Sequence, residues 1–437
     1  MRYFLTHLGC QMNASDTERI AAVLEALGFV RTEDEEEADL LGVVACSVRQ
    51  KAIDRVYGRV HAWNRAKHGR VTMLSGCVLE ADERKFARLF DLIFRMPDLP
   101  RLPELLAPFF QGRGGIPAAA TPAYDPATGF WQIDPHYANP FQAFIPIQNG
   151  CNKFCSYCAV PYTRGREVSR PSAEILAEAR RLVADGYRTI TLLGQNVNSY
   201  GLDRRGAELA FPALLAAMAT VVEEAGKEVR LYYTSPHPQD MSEELFRVMA
   251  AHACIAKQVH LPIQSGDDAV LKAMHRSYDM ARFRETVGWM RHHLPGATFS
   301  TDIIVGFPGE TEEQFENTRR TMEEFRYDMA YIAMYSPRPG AASARAEDTV
   351  PHEEKRRRLH LLSDDLKRIS LENNRTRIGR TLRVLVEGPD RKPGFLTGKT
   401  EGLLIVRFPA ADEALTGSFV DVKITGAAPL SLEGERI

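Results

Sequence analysis

The residues with the clearest chemical potential in this 437-residue chain are three cysteines within eight positions, Cys151, Cys155 and Cys158. Three thiolates can bind three irons of a [4Fe–4S] cluster and leave the fourth iron without a protein ligand. A structural zinc site is the alternative, but zinc prefers four ligands that are often supplied by paired cysteines. The Cys-x3-Cys-x2-Cys spacing therefore favours an iron–sulfur cluster whose open iron binds a chelating small molecule.

Cys10, Cys46 and Cys77 form a second pattern, because each follows a short apolar run that is typical of a β-strand. In a parallel sheet the carboxyl ends of such strands share one edge, beside the first turns of the following helices. Helix N-termini stabilise thiolates, so we predict that these cysteines converge and hold a second cluster with an open iron. The alternative is three ordinary buried cysteines. Cys254 has no comparable partner and is expected to be a core or surface residue.

The bulk composition is that of a globular protein, with seven cysteines, a hydrophobic fraction of 44% and a net charge of −2. The N-terminus lacks the apolar segment of a signal peptide, and no apolar run reaches the roughly 18 residues of a membrane span. We therefore expect a cytoplasmic protein without membrane contact. Disulfides are disfavoured in that compartment, so clustered cysteines point to metal binding or catalysis.

Residues 1–97 alternate apolar runs with helical patterns, which predicts an N-terminal parallel α/β domain. Ser15 and Glu18 have the spacing of a capping box at the start of the first helix. Residues 98–140 are rich in proline and glycine and are predicted to be an interdomain linker. Its apolar side chains are candidates for packing against a neighbouring domain; they are Phe109, Phe110, Phe130 and Trp131.

Residues 141–350 repeat the strand–helix pattern six times, which predicts a central partial (βα)6 barrel with its site at the carboxyl ends of the strands. A basic connecting helix is predicted over 351–378, and regularly spaced short strands over 379–437 predict a small antiparallel β-barrel. Residues 355–407 contain 14 Lys and Arg against 6 Asp and Glu. This excess fits an RNA-binding surface, although a solvated helix face is the alternative for the basic helix alone.

Several sequence blocks resemble the radical methylthiotransferases. They are Gly9–Asn13, the triad segment 151–167, Gly194–Tyr200, Leu261–Gly266 and Asp302–Thr311. The C-terminal barrel resembles a TRAM domain. Two motifs, Gly-Cys-Gln-Met-Asn at 9–13 and Val-Pro-Tyr-Thr-Arg-Gly at 160–165, are most similar to the subfamily that modifies isopentenyladenosine in tRNA.

The resemblance implies a radical S-adenosylmethionine (SAM) enzyme that adds a methylthio group to carbon 2 of N6-isopentenyladenosine beside the anticodon. It implies two [4Fe–4S] clusters, with SAM cleaved at the Cys151/Cys155/Cys158 cluster and sulfur held at the other. Two SAM molecules are then used per turnover, one to methylate the sulfur and one to make the radical that takes the hydrogen from carbon 2. The implied partners are the tRNA anticodon stem-loop, a sulfur donor and an electron donor such as flavodoxin or ferredoxin.

Polar residues near the ends of the predicted barrel strands are candidates for SAM contacts, with ordinary loop capping as the alternative. They are Gln195, Asn196, Ser235, Gln264 and Asp302. Arg164 and Arg166 are candidates for RNA phosphate or cofactor carboxylate, or are solvated loop residues. Beyond the cluster-bound cofactors, no side chain is predicted to be catalytic.

Two sister activities stay open at this stage, on threonylcarbamoyl-adenosine in tRNA and on a ribosomal protein side chain. A protein of another class, a non-catalytic iron–sulfur sensor that binds RNA, also stays open. Such a sensor would need the six cysteines and the basic tail, but it would have no use for the polar residues at the strand ends.

Overall fold

The computed structural model describes residues 1–47, 50–111, 129–410 and 412–437. Its N-terminal domain is a five-stranded parallel sheet in the order β2-β1-β3-β4-β5. The strands are β1 (Arg2–His7), β2 (Val30–Arg31), β3 (Leu40–Cys46), β4 (Val71–Cys77) and β5 (Leu92–Ile93). The helices are α1 (Gln11–Ala26), α2 (Gln50–Arg65), α3 (Glu80–Phe86) and α4 (Leu102–Phe110). Strands β3 and β4 are buried along their whole length, because helices cover both faces of the sheet.

The linker prediction is wrong for the residues before 111. A 3-10 helix over Met96–Arg101 leads into α4, and both pack into the core beneath α1. Proline is compatible with the first turn of a helix, and the burial of Leu102, Leu106 and Phe110 stabilises α4. Phe130 and Trp131 join the same core. The glycines of the predicted linker, at 112, 114 and 115, lie outside the described residues.

The central domain contains the six predicted parallel strands in two sheets, ordered β10-β9-β6 and β11-β12-β13. A backbone bridge between Leu231 and Ile255 joins the two sheets, so the strands form the expected partial barrel. The strands are β6 (Gln142–Pro146), β9 (Thr189–Leu193), β10 (Arg230–Tyr233), β11 (Gln258–His260), β12 (Thr298–Val305) and β13 (Met329–Met334), with a short extra pair β7 (Gln148–Asn149) and β8 (Val168–Ser169).

Helices surround this barrel and bury the outward-facing apolar residues of its strands in the largest core of the molecule. They are α5 (Val160–Arg164), α6 (Ser172–Asp185), α7 (Phe211–Glu224), α8 (Glu243–Ala251), α9 (Asp268–Ala273), α10 (Met280–His293) and α11 (Glu312–Phe325). Cys254 is half-buried at the edge of this core. Among the described residues, no helix is long and apolar enough to cross a membrane.

The chain ends in a closed five-stranded barrel in the order β14-β15-β16-β18-β17. The strands are β14 (Thr381–Pro389), β15 (Phe395–Thr400), β16 (Ile405–Pro409), β17 (Phe419–Ala428) and β18 (Ser431–Arg436). Most pairs are antiparallel as predicted, but β16 and β18 run parallel where the barrel closes.

This C-terminal barrel covers the N-terminal end of the central barrel. Arg230, the first residue of β10, donates to the carbonyls of Lys399 and Arg383 at 3.1 and 2.7 Å. Thr298, the first residue of β12, donates to the carbonyl of Gly402 at 2.8 Å. The contacts involve strand starts, so the C-terminal barrel lies at the end opposite the expected active site.

The basic helix α12 (His352–Arg375) uses its cations within the protein. Arg358 is buried and binds Glu310 at 2.7 Å, and Lys355 is buried against Asp348 at 2.6 Å. Further side-chain pairs with α11 and along α12 involve Arg356, Arg357, Lys367 and Arg368. The positive charge that the sequence concentrates here is therefore largely balanced by neighbouring carboxylates.

Candidate active site

Cys10, Cys46 and Cys77 lie together at the carboxyl edge of the N-terminal sheet. Cys46 and Cys77 end β3 and β4 and are register partners. Cys10 follows β1 and is the N-cap of α1. A Cβ added to Gly9 would lie 2.7 Å from the Cβ of Cys46, so glycine allows this loop to approach the other two cysteines. The arrangement agrees with the predicted convergence, while the role of these residues as cluster ligands stays a prediction.

The capping box expected at Ser15 and Glu18 is wrong, because α1 begins four residues earlier at Gln11. Both residues are buried inside the helix, where Ser15 accepts a hydrogen bond from Arg19 at 2.8 Å. The earlier start has a chemical consequence. It places Cys10 directly at the positive end of the α1 dipole.

Cys46 and Cys77 are buried and Cys10 is exposed, and the pKa values of Cys10 and Cys77 are raised, which favours the protonated thiols. Burial and the neighbouring Cys77 raise the pKa of Cys10, although the helix N-terminus opposes the shift. A hydrogen bond with Cys46 and burial raise the pKa of Cys77. A metal that binds thiolates must therefore displace protons here.

Arg164 extends from α5 of the central domain into this cysteine group. Its Nε lies 2.9 Å from Sγ of Cys77, and its Nη2 contacts Asn13 Oδ1 at 3.2 Å and pairs with Asp16. Arg164 is only 8% exposed, and its guanidinium is directed at Cys77, Asn13 and Asp16 and not at the protein surface. The structure thus gives Arg164 a different position from those considered from the sequence. Arg166, in contrast, is exposed and lies over the ring of Phe154 at 4.6 Å.

Cys151, Cys155 and Cys158 occupy the loop between β7 and α5, at the carboxyl end of the central barrel. The loop is closed by a hydrogen bond from the Cys151 amide to the Gly165 carbonyl at 3.2 Å. Arg276 donates to Sγ of Cys155 at 3.2 Å, and the amide of Val160 donates to Sγ of Cys158 at 3.4 Å. Backbone and guanidinium donors therefore already point at sulfur atoms of this triad.

Burial raises the pKa of Cys151 to about 11 and that of Cys158 to about 12. Within the described ranges, no three Cys, His, Asp or Glu side chains are close enough together to hold a single metal ion. Ligands of a four-iron cluster each bind a different iron and do not converge on one point. The donor set, three thiols in one loop with hydrogen-bond donors beside them, fits a cluster of that kind.

The SAM candidates fall into two groups around the barrel mouth. Gln195 and Asn196 follow β9, and Asn196 donates to Asp240 at 2.8 Å while Lys153 of the triad loop pairs with the same carboxylate at 2.7 Å. Gln195 Oε1 and Asn196 Oδ1 are buried and accept no hydrogen bond from any residue that the structure describes. Ser235 belongs to this group, because its carbonyl accepts from the Val197 amide at 3.3 Å.

Gln264 and Asp302 form the second group, linked by a backbone hydrogen bond of 2.8 Å. Gln264 follows β11 and has a positive φ of 65°. Asp302 lies inside β12, three residues before its end, so it is not a strand-end residue as predicted. Its carboxylate is 3.2 Å from Nε2 of His260.

Comparisons with known proteins agree with this geometry. Residues 145–322 match the radical SAM superfamily, residues 2–94 match the uncharacterized protein family UPF0004, and residues 375–437 match the TRAM domain. A tRNA-2-methylthio-N(6)-dimethylallyladenosine synthase from Geotalea uraniireducens is 40% identical over 440 residues, which cover 99% of this chain and 98% of the relative. The synthase of the same name from Dictyoglomus thermophilum is 38% identical over 446 residues, covering 100% and 98%. The chain belongs to this family of synthases.

Membership of the radical SAM superfamily implies a [4Fe–4S] cluster and SAM, and it makes the protein an enzyme. Solved structures share the fold. The radical SAM methyltransferase TsrM from Kitasatospora setae, with cobalamin and a [4Fe–4S] cluster bound, has a TM-score of 0.56 and 16% identity over 92% of this chain and 81% of its own. The same methyltransferase with tryptophan and a SAM analogue has a TM-score of 0.56 and 17% identity over 78% and 75%.

Several residues of the site were missed from the sequence. Arg276 follows the triad by more than a hundred positions, and nothing local marks it as a partner of Cys155. Asn13 and Asp16 had a detectable signal, because they follow Cys10 by three and six positions on one helix and therefore lie near it. His260 is a strand residue that directly precedes the Leu261–Gly266 block, and only the register with β12 brings it to Asp302.

Proposed function

We propose that this enzyme adds a methylthio group to carbon 2 of N6-isopentenyladenosine beside the anticodon of tRNA, using two [4Fe–4S] clusters and two SAM molecules per turnover. The observation that carries the proposal is the arrangement of two cysteine triads that are connected by one arginine side chain. One lies at the carboxyl end of the barrel, the other at the carboxyl edge of the N-terminal sheet, and Arg164 extends from the helix that follows the first triad to the second. Full-length similarity to synthases named for this product supports the substrate.

The two triads suit the two difficulties of the reaction. The carbon 2 C–H bond of adenine is inert to side-chain bases, and sulfur must be supplied at the same place. Cys151, Cys155 and Cys158 would hold the cluster that binds SAM, and Cys10, Cys46 and Cys77 would hold the cluster that carries sulfur. When bound, these cofactors supply the radical and sulfur chemistry, while the protein orients them and excludes competing reactions.

The unpaired acceptors near the first triad support a SAM site there. Leaving a buried acceptor without a partner costs roughly 1–3 kcal/mol, so Gln195 Oε1 and Asn196 Oδ1 favour a ligand with hydrogen-bond donors. The amino and hydroxyl groups of SAM are such donors. Asp240 holds Asn196 and Lys153 in place, which connects this wall of the site to the triad loop. Gln264 and Asp302, with His260, form the second group at the barrel mouth and would contact SAM or the target nucleoside.

The RNA partner is supported by the relatives' names and by the TRAM match. Single-stranded loops can place an unstacked base in a pocket, which an anticodon-loop substrate requires. The paired cations of α12 give little support to a role of that helix in RNA binding. A sulfur donor and an electron donor such as flavodoxin or ferredoxin complete the proposal.

The decisive experiment separates the two triads by their products. Anaerobically reconstituted protein is incubated with SAM, dithionite and tRNA that carries isopentenyladenosine, and nucleosides and 5′-deoxyadenosine are measured by mass spectrometry. We expect the wild type to form both products, Cys155→Ala to form neither, and Cys46→Ala to form 5′-deoxyadenosine without the methylthio nucleoside. Wild type that makes no 5′-deoxyadenosine would instead favour the non-catalytic sensor.

Substrate and iron controls complete this design. A parallel reaction with tRNA that carries threonylcarbamoyl-adenosine, or with the ribosomal protein, tests the sister activities, and modification of only one of those would replace the proposed substrate. Iron content should be about eight per chain in the wild type and about four when either triad is changed to alanine. An unchanged value after replacing Cys10, Cys46 and Cys77 would contradict the second cluster.

A further inference from the structure

In the part of the chain that the structure describes, each cysteine triad has an arginine whose guanidinium donates to a sulfur atom, and Arg164 is buried while Arg276 is half-buried. Arg276 donates to Cys155 at 3.2 Å, and Arg164 donates to Cys77 at 2.9 Å. Arg276 is a neighbour of its triad within the central domain. Arg164 differs, because its backbone belongs to the helix after the first triad while its side chain contacts the second.

The contacts of Arg164 hold it in one orientation. Asn13 and Asp16 lie one turn apart on α1, are 0% and 1% exposed, and both bind Nη2 of the arginine. The Arg164 carbonyl in turn accepts from Nδ2 of Asn149 at 3.3 Å, just before the first triad. The chain of contacts therefore runs from the barrel loop through Arg164 to the helix that begins at Cys10.

The electrostatics of the second triad call for such a cation. A cluster with three thiolate ligands is anionic, and an unbalanced negative charge is costly in a buried site. Asp16 adds a further carboxylate to the same region, so the arginine has to offset more than one negative group. Nη1 of Arg164 is buried and has no acceptor among the described residues, which leaves one nitrogen of the guanidinium available beside the cysteines.

We infer that Arg164 is the positioning residue of the second site: it fixes Cys77 and the start of α1 against the barrel loop and stabilises the reduced form of the cluster that these cysteines hold. The inference rests on the two-cluster proposal. Reduction adds one electron to the cluster, and a cation at a fixed short distance favours the more negative state. Arg164 therefore raises the midpoint potential of this cluster, and Arg276 acts correspondingly on the cluster of the first triad.

The test isolates the second cluster in a chain in which Cys151, Cys155 and Cys158 are replaced by alanine. Iron content and electron paramagnetic resonance of this parent first show whether the second cluster exists. If the parent holds no cluster, the proposed function fails at that point, before Arg164 is tested. Redox titration of the parent, monitored by the resonance signal, then gives the reference potential.

Arg164→Met in this parent is expected to shift the midpoint potential of the cluster to lower values. Arg164→Lys keeps a charge but cannot contact both Cys77 and Asp16, so it should shift the potential less and in the same direction. Arg276→Met is the matched control, because it removes a half-buried sulfur-binding arginine from the other triad and should leave this potential unchanged. Loss of iron from Arg164→Met in an otherwise folded chain would also support the positioning role.

Three results would overturn the inference. The first is an unchanged potential in Arg164→Met with full iron content. The second is an equal shift in Arg276→Met, which would show a general effect of lost charge. If Arg164→Met does not fold, Arg164→Lys decides the question, and a potential identical to that of the parent would contradict the proposed role.

Discussion

Gly150 shows how a single backbone position prepares the first cysteine triad. Its φ is +80°, and an added Cβ would lie 2.1 Å from the carbonyl oxygen of Arg166 and 2.7 Å from that of Gly165. The residue that precedes Cys151 must therefore lack a side chain for two reasons, conformation and space. The close approach of these two segments is what places Cys151 beside the C-terminal end of α5.

We expect Gly150→Ala to lower the melting temperature strongly and to reduce iron bound at the first triad, because the loop must open to admit a methyl group. Gly165→Ala is the matched control. Gly165 has a φ of +77° and a ψ of −162°, but no atom of the described residues lies within 4 Å of an added Cβ, so only conformational strain of about 1–3 kcal/mol is expected. Calorimetry and iron analysis measure both effects, and equal losses in the two variants would contradict the steric argument.

What could be predicted at this scale depended on how far apart the interacting residues lie. The cysteines were recognised because their spacing, or their place after an apolar run, is a local signal. Arg164 is 87 positions from Cys77 and 148 from Asp16, and no local pattern links them. The sequence motif around Arg164 was noticed, but its meaning depends on the docking of two domains.

At the level of elements, the sequence pattern of α1 correctly predicts a helix but places its start too late. The same pattern gives Ser15 and Glu18 the spacing of a cap. In the structure, polar residues of this part of the helix contact the central domain. Arg19 is 1% exposed and lies 3.9 Å from Glu178 of α6, which in turn binds Arg170. Glu18 accepts a hydrogen bond from the Ala138 amide at 3.1 Å. A helix face that binds another domain resembles a solvent-facing one in sequence, because both are polar.

Glu18 makes this contact sensitive to pH. Burial raises its pKa from 4.5 to about 7, although the Ala138 amide and Arg19 oppose the shift. Between pH 4.5 and 7 the unfolded chain loses this proton while the folded protein keeps it. The free energy of unfolding therefore decreases as pH rises through that window, because the buried Glu18 must become charged. The decrease is roughly 3 kcal/mol at most, and it is complete above pH 7.

Glu18→Gln should consequently melt at a higher temperature than the wild type at pH 8, and the difference should vanish near pH 4.5. The glutamine keeps the acceptor for the Ala138 amide and carries no charge. Glu313→Gln, which changes an exposed glutamate on α11, serves as the control and should show no such trend. A constant difference across the pH range would show that the titration of Glu18 does not govern the contact.

For the whole molecule, the order of the three domains could be predicted but their arrangement could not. Alternation of apolar and polar residues identifies strands and helices one at a time, and it carries no information about which end of a barrel another domain will cover. The C-terminal barrel contacts the strand starts through Arg230, Thr298 and Gln142. Carbonyl groups supply most of the acceptors, so side-chain patterns in the tail could not reveal the contact.

Arg230 is the main link in this contact, because it donates to two carbonyls and lies over the ring of Phe419 at 4.6 Å. We expect Arg230→Met to weaken the attachment of the C-terminal barrel by roughly 2–4 kcal/mol, since charged donors to carbonyls are lost from a buried site. Faster hydrogen exchange in β14 and β15 would report this. Arg383→Met, which removes an exposed pair with Glu228, should change exchange much less. Equal protection of the β14 and β15 amides from hydrogen exchange in both variants would contradict the role of Arg230 as the main link.

The position of the C-terminal barrel also bears on how a truncated enzyme would behave. Because it covers the floor of the central barrel, a chain without residues 379–437 would lose more than a surface for RNA. Its barrel interior would gain a second opening, through which water and small solutes could reach the place where SAM is cleaved. Such an enzyme would be uncoupled, consuming SAM to 5′-deoxyadenosine without a matching amount of modified nucleoside. The ratio of the two products would therefore distinguish a leaking barrel from one that only binds RNA less tightly.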